Sequence, residues 1–180
     1  MEKTQIVQCF QELLETVFVE LFQHLNCTIK RIVDPADELD DVPIACIDAG
    51  SDDIEIMLLL QAPMSVLALT YPSSQIITEV DEEKLEDWIS ELTNQLIGRL
   101  KNKLIQHECR LNMGLPRTFF GMDADEILPS DTDYIVLFFD VDNEIIECKL
   151  ALDFINEEMN FKINADDDDS GVSEGELEFF

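Results

Sequence analysis

Two long stretches in which apolar residues recur at spacings of three and four do most to limit what this chain can fold into. Over residues 3–25, Ile6, Phe10, Leu13, Leu14, Val17, Phe18, Leu21, Phe22 and Leu25 make a wide apolar face, with Gln11, Glu12, Glu15 and Glu20 between them. Over residues 80–109, Leu85, Trp88, Ile89, Leu92, Leu96, Leu100 and Leu104 do the same, and acidic residues gather at the start. Both patterns have the period of an α-helix, and an amphipathic helix must lay its apolar side on another layer. Acidic residues at the beginning of the second helix suit the positive end of its dipole.

The segments around these helices supply that layer. Short runs rich in β-branched residues, at 27–34, 43–48 and 53–61, are separated by acidic turn segments such as DELDD and AGSDD and read as a small sheet of hairpin-linked strands. Pro63 opens MSVLALTY, one or two helical turns that end before Pro72 and the Ser73-Ser74 loop. Beyond Gly114, strands are expected at 115–121, 133–141 and 144–153, with VDNE from Val141 as the turn between the last two. Segregated helices and strands predict an α+β fold, two or more helices packed on an antiparallel or mixed sheet. At 180 residues one domain suffices, expected over 1–155.

Residues 156–180 hold the run DDDD from Asp166 and then SGVSEGELEFF, a composition too charged to build a core. They are expected to form a disordered acidic tail. Leu177, Phe179 and Phe180 leave open a second reading, in which this end docks on a groove elsewhere.

Charge excludes several partners. With 40 acidic and 11 basic residues the formal net charge is -29, which argues against nucleic acid and anionic membranes and favours basic partners. The five cysteines, Cys9, Cys27, Cys46, Cys109 and Cys148, show no CxxC spacing, as expected of reduced thiols in a cytoplasm. No apolar run approaches the roughly 20 residues that cross a bilayer, and the N-terminus does not resemble a signal peptide. His107-Glu108-Cys109 has metal-ligand residue types, but adjacent helical residues point apart and no shared ion is expected. GxSxG, P-loop and GxGxxG motifs are missing, so self-contained hydrolase chemistry is unsupported.

What remains is the face of the second helix turned from its apolar stripe, where Glu91, Asn94 and Gly98 cluster. A glycine there costs about 1 kcal/mol relative to alanine and has no core contact to justify it, which suggests close approach of another backbone. The run from Glu91 through Asn94 to Gly98, followed by RLKNKL and MGLPRTFFG, resembles the ExxNxxxG signature of the CheX and CheC chemotaxis phosphatases and the Gly-x-Pro-like segment after it. The resemblance spans about residues 1–155, and its specific part lies within 91–121.

Several expectations follow from that resemblance. The substrate is a phosphorylated CheY-like receiver domain; Asn94 orients a water for in-line attack on the aspartyl phosphate, and Glu91 pairs with the receiver's active-site lysine. An amide suits the first task because it offers a donor and an acceptor without ionising. Gly98 and Asp87 are expected at the partner contact. Mg²⁺ would belong to the receiver, so this chain needs no cofactor or metal of its own. The single ExxN motif favours a CheX-like protein, usually a homodimer joined through its sheets. Two alternatives stay open: a non-catalytic receiver-binding or flagellar-switch-like module, and an acidic structural protein with no receiver partner.

Overall fold

A computed structural model describes residues 3–33, 35, 39, 42–72, 81–130 and 132–163. Two long helices, α1 (Lys3–His24) and α3 (Glu82–Leu104), lie on one face of an antiparallel sheet. Its strands are β1 (Ile29–Ile32), β2 (Ile44–Gly50), β3 (Ile54–Gln61), β4 (Asn112–Met113), β5 (Arg117–Phe119), β6 (Asp133–Val141) and β7 (Glu144–Phe154). They are ordered β1-β6-β7-β3-β2-β4, with β5 also on β2. Two shorter helices are α2 (Met64–Thr70) and α4 (Ala124–Ile127). The α+β class and both long helices match the sequence reading.

Local chemistry fixes the ends of the long helices. Asp81 caps α3 by accepting from the Glu83 amide at 2.8 Å, and Glu82 and Glu83 fill the first turn. Both helices end in the same way, α3 after a short 3₁₀ turn over Ile105–His107. Asn26 (φ 62°) and Glu108 (φ 63°) adopt the left-handed conformation, and the following amides, of Cys27 and Cys109, reach back to the carbonyls of Phe22 and Leu104. This Schellman arrangement satisfies carbonyls that the helix leaves unpaired.

The sheet's inner face meets the helices. Ala45 and Ile47 of β2, Ile56, Leu58 and Leu60 of β3, Leu137 and Phe139 of β6, and Cys148 and Leu150 of β7 are buried with the apolar stripes of α1 and α3. Phe18 of α1 stacks on Phe139 with ring centroids 3.9 Å apart. α2 packs on α3, where Trp88 donates its indole N–H to Thr70 Oγ1 at 2.9 Å. The outer face is covered in part by α4, which closes a second apolar cluster of Ile44, Cys46, Leu59, Ala124, Leu128 and Ala151. There the buried Lys149 bridges Glu147 at 3.2 Å and Asp125 at 2.8 Å; burial pushes the Glu147 carboxyl above its usual range, although Lys149 opposes this.

The sequence reading needs three corrections. β1 is not hairpin-linked to β2; it crosses to the sheet's far edge and pairs with β6, Ile29 opposite Val141. The expected hairpins do form between β2 and β3, and between β6 and β7 through Asp142 and Asn143, both at positive φ as a two-residue type I′ turn requires. α4 went unassigned because four residues carry no readable period. Residues 156–163 were read as tail, yet Phe161 is fully buried and Met159 nearly so. Phe161 stacks on His107 at 5.1 Å and on Phe10 at 5.8 Å. Residues 164–180, with the acidic run and the terminal aromatics, lie outside the described residues.

Phe161→Ala is expected to lower unfolding stability by about 3–5 kcal/mol in urea titrations, the usual cost of emptying a buried phenylalanine site. A loss within experimental error would show that this segment is dispensable packing.

Candidate functional site

Helix α3 carries the site because its two sides are so unlike. Ile89, Leu92, Leu96, Ile97 and Leu100 are fully buried, while Asp87 and Glu91 are exposed and Asn94 and Gly98 partly so. At 100° per residue Asp87, Glu91, Asn94 and Gly98 fall within a narrow sector of the outward face. All four residues expected at the site therefore share one solvent-facing strip.

The strip has few internal ties. Gln95 Nε2 donates to Glu91 Oε1 at 2.8 Å, one turn along, and holds that carboxylate on the helix surface. Among the described residues none hydrogen-bonds the Asn94 side chain, whose amide offers both a donor and an acceptor. A Cβ built on Gly98 would meet nothing within 4 Å. Among the described residues no neighbour requires the glycine, and it leaves bare helix backbone on the surface.

Charge divides along α3. Asp81, Glu82, Glu83, Glu86 and Asp87 crowd its start, and Arg99, Lys101 and Lys103 its end, each sign at the end of the dipole that favours it. Lys103 reaches across to Glu20 of α1 at 2.9 Å.

α3 also touches β5, so the segment 114–122 and the helix are neighbours in space as well as in sequence. Its apolar side chains are conspicuously uncovered: Leu115 is 85% exposed, Phe120 43% and Met122 40%. The strand expected over 115–121 is confined to Arg117–Phe119, and these exposed apolar side chains flank it. A run such as LPRTFFGM at a sheet edge, with no polar alternation, was the available signal.

The remaining chemistry-bearing groups lie elsewhere. A cleft of about 490 Å³ opens on the sheet's outer face, with Asp48, Glu55 and Asp153 on its walls, and Asp48 is paired there with Arg117 at 2.8 Å. Cys9 and His107 approach to 3.7 Å, a spacing that suggests a nucleophile and base. Burial and then Glu12 push the Cys9 thiol up, however, and His107 Nδ1 is engaged by the Lys162 carbonyl at 2.5 Å, so this pair is structural. All five cysteines are free thiols, and burial raises those of Cys27 and Cys109 to about 11, which disfavours the reactive thiolate. Among the described residues no group of three or more His, Cys, Asp or Glu is arranged to hold a metal ion. Among them, too, no helix is long and apolar enough to cross a membrane.

The chain matches no protein-family model and no curated protein. Solved structures do resemble it. The chemotaxis protein CheX from Vibrio vulnificus aligns with 80% of this chain and 98% of its own, at 13% identity and a TM-score of 0.63. The chain has the CheX fold. A CheX-CheY-BeF3-Mg complex from Borrelia burgdorferi contains a chain that aligns with 81% of this one and 96% of its own, at 14% identity and a TM-score of 0.57. The FliM middle domain from H. pylori aligns with 84% of this chain and 92% of its own, at 8% identity and a TM-score of 0.55. At such identities the likeness establishes the fold alone. CheX-like architecture therefore stands independently of the ExxN motif.

Because Gly98 has open space around it, Gly98→Ala is expected to stabilise the isolated protein by about 1 kcal/mol through helix propensity. A denaturant midpoint that falls instead would mean that the glycine serves internal packing.

Proposed function

We propose that this protein removes the phosphoryl group from the aspartyl phosphate of a CheY-like receiver domain, with α3 as the docking and catalytic element. The observation that carries this reading is the outward strip on α3, in which an uncommitted amide, a carboxylate and an exposed glycine backbone stand together on a rigid helix. A convex surface of this kind cannot enclose a substrate; it suits a partner that brings its own cleft.

In this reading Asn94 enters the receiver's active site and fixes a water in line with the phosphorus-oxygen bond to be broken. Hydrolysis then transfers the phosphoryl group to water and returns the receiver's aspartate as a carboxylate. Holding the water supplies orientation, a large part of the barrier in reactions that otherwise need a freely tumbling nucleophile. Glu91 leaves Gln95 to pair with the receiver's lysine, a charge-assisted contact that sets register. Asp87 and Gly98 border the contact, and Gly98 lets the receiver approach the helix backbone. The exposed Leu115, Phe120 and Met122 would add apolar area beside it. The receiver supplies Mg²⁺, which neutralises phosphoryl charge. The protein works in the cytoplasm in this reading, as does the signalling pathway that it serves.

A homodimer is part of the proposal by resemblance. On the outer face, where α4 does not reach, Tyr134 is 53% exposed and Val136 and Phe138 are partly open, so an apolar strip remains for sheet-to-sheet contact. The likeness to the FliM middle domain favours one second reading, a flagellar-switch-like module that binds without catalysis.

Phosphate loss from a phosphorylated receiver in Mg²⁺ separates the two. The wild-type protein should accelerate it. Asn94→Ala should remove the acceleration by two or more orders of magnitude if the amide alone holds the water, and Glu91→Ala should weaken docking more at low salt than at high. Decay at the receiver's own rate with wild-type protein would leave only the binding module.

A further inference from the structure

The outward strip on α3 does not end at Gly98. At 100° per residue Lys101, seven residues after Asn94, returns to within about 20° of it around the axis. Ile105, seven residues after Gly98, returns equally close to that glycine, and Asn102 to Glu91. Ile105 still has helical angles, φ -58° and ψ -38°, so the projection holds through it. From Asp87 to Ile105 the strip is then about 27 Å long.

The added length differs in chemistry from the start of the helix. Ile105 is 45% exposed, Asn102 is exposed and Lys101 is half-buried. Among the described residues no carboxylate pairs with Lys101 and no group hydrogen-bonds the Asn102 side chain. An exposed isoleucine standing singly needs no explanation, but this one stands in line with Asn94 and the bare backbone of Gly98 on one rigid element. Charge changes along the same line. The start of α3 carries Asp81, Glu82, Glu83, Glu86 and Asp87 against Lys84, whereas residues 92–107 contain no acidic residue and hold Arg99, Lys101 and Lys103. In a chain of net charge -29, an anionic partner therefore meets no carboxylate from this half of the helix.

A strongly acidic protein and a phosphorylated partner repel one another at a distance, so contact favours the surface from which that repulsion is locally removed. We propose that Lys101 and Ile105 extend the receiver-docking strip by two helical turns and select a receiver that is acidic and apolar where it meets the C-terminal half of α3. This rests on the receiver-docking reading of α3. Glu91 takes a cation and Lys101 an anion, which fixes the direction in which the receiver lies along the helix, because the reversed alignment sets like charges together. Lys101 and Ile105 stand about 10 and 16 Å along the axis from Asn94, too far to touch the attacking water. They act on binding and not on the hydrolytic step.

The full-length protein is titrated against CheY-like receivers of its own organism held active with BeF3⁻ and Mg²⁺, and the same variants are followed in steady-state dephosphorylation. Ile105→Ser should weaken binding roughly fivefold, as expected when part of one aliphatic side chain is no longer buried. Lys101→Glu should weaken it roughly tenfold at low salt and much less at about 0.5 M. In both variants KM should rise while kcat keeps its wild-type value, and the conservative Ile105→Leu and Lys101→Arg should retain wild-type affinity. If the wild-type protein binds and both Ile105→Ser and Lys101→Glu bind as well as it does, the inference is overturned and the receiver reading stands. Tighter binding by Lys101→Glu would also overturn it, since the partner would then be basic at that point. A fall in kcat at unchanged KM would do so by placing these residues in the chemistry. Failure of the wild-type protein to bind any receiver would overturn both the inference and the reading beneath it. Sedimentation of the protein alone tests for a second copy as the occupant: a wild-type dimer that Ile105→Ser dissociates would overturn the inference.

Discussion

The burial of one side of α3 against β2 and β3 is the constraint on which the rest of the structure depends. Ile89, Leu92, Leu96, Ile97, Leu100 and Leu104 are all fully buried, and each such side chain is worth roughly 1.5–3 kcal/mol over its exposed state. Rotating the helix by a single residue position would expose part of that stripe and drive Glu91 towards an apolar core, where an unpaired carboxylate is far costlier. The orientation of Glu91, Asn94 and Gly98 towards solvent is therefore a by-product of packing. Asp81 at one end and the left-handed Glu108 at the other hold the helix to this length.

Much of this was legible because it repeats. A helical period sustained over more than twenty residues fixes both the element and the side it buries, so the placement of the α3 strip followed from sequence spacing. Hairpins were readable where the turn chemistry is local, as at Asp142 and Asn143. Pairing between distant segments was not: nothing within residues 29–32 says that β6, more than a hundred positions on, is the partner. The end of the folded region was misplaced for a related reason. Phe161 lies between polar and acidic residues, and its composition reads as tail, yet one aromatic finds a slot between Phe10 and His107 and carries residues 156–163 onto the core. Isolated anchors have no period to betray them.

The contrast between the two candidate surfaces is physical. The outer-face cleft is concave and edged by carboxylates, one of them already neutralised by Arg117. The α3 strip is convex, rigid and low in internal hydrogen bonds, with an apolar rim on the neighbouring segment. Burial raises the thiols of Cys9, Cys46, Cys109 and Cys148, which disfavours their reactive form. In the proposed function the chain's contribution is a fixed geometry, offered to a partner that holds the phosphate and the metal.

Saturation kinetics of receiver dephosphorylation test that division of labour most directly. If Asn94 acts on the attacking water and Glu91 on docking, Asn94→Ala should lower kcat severely with KM nearly unchanged, because the amide contributes in the transition state and little to ground-state binding. A raised KM with kcat preserved would make Asn94 a contact residue and contradict its place in the chemistry.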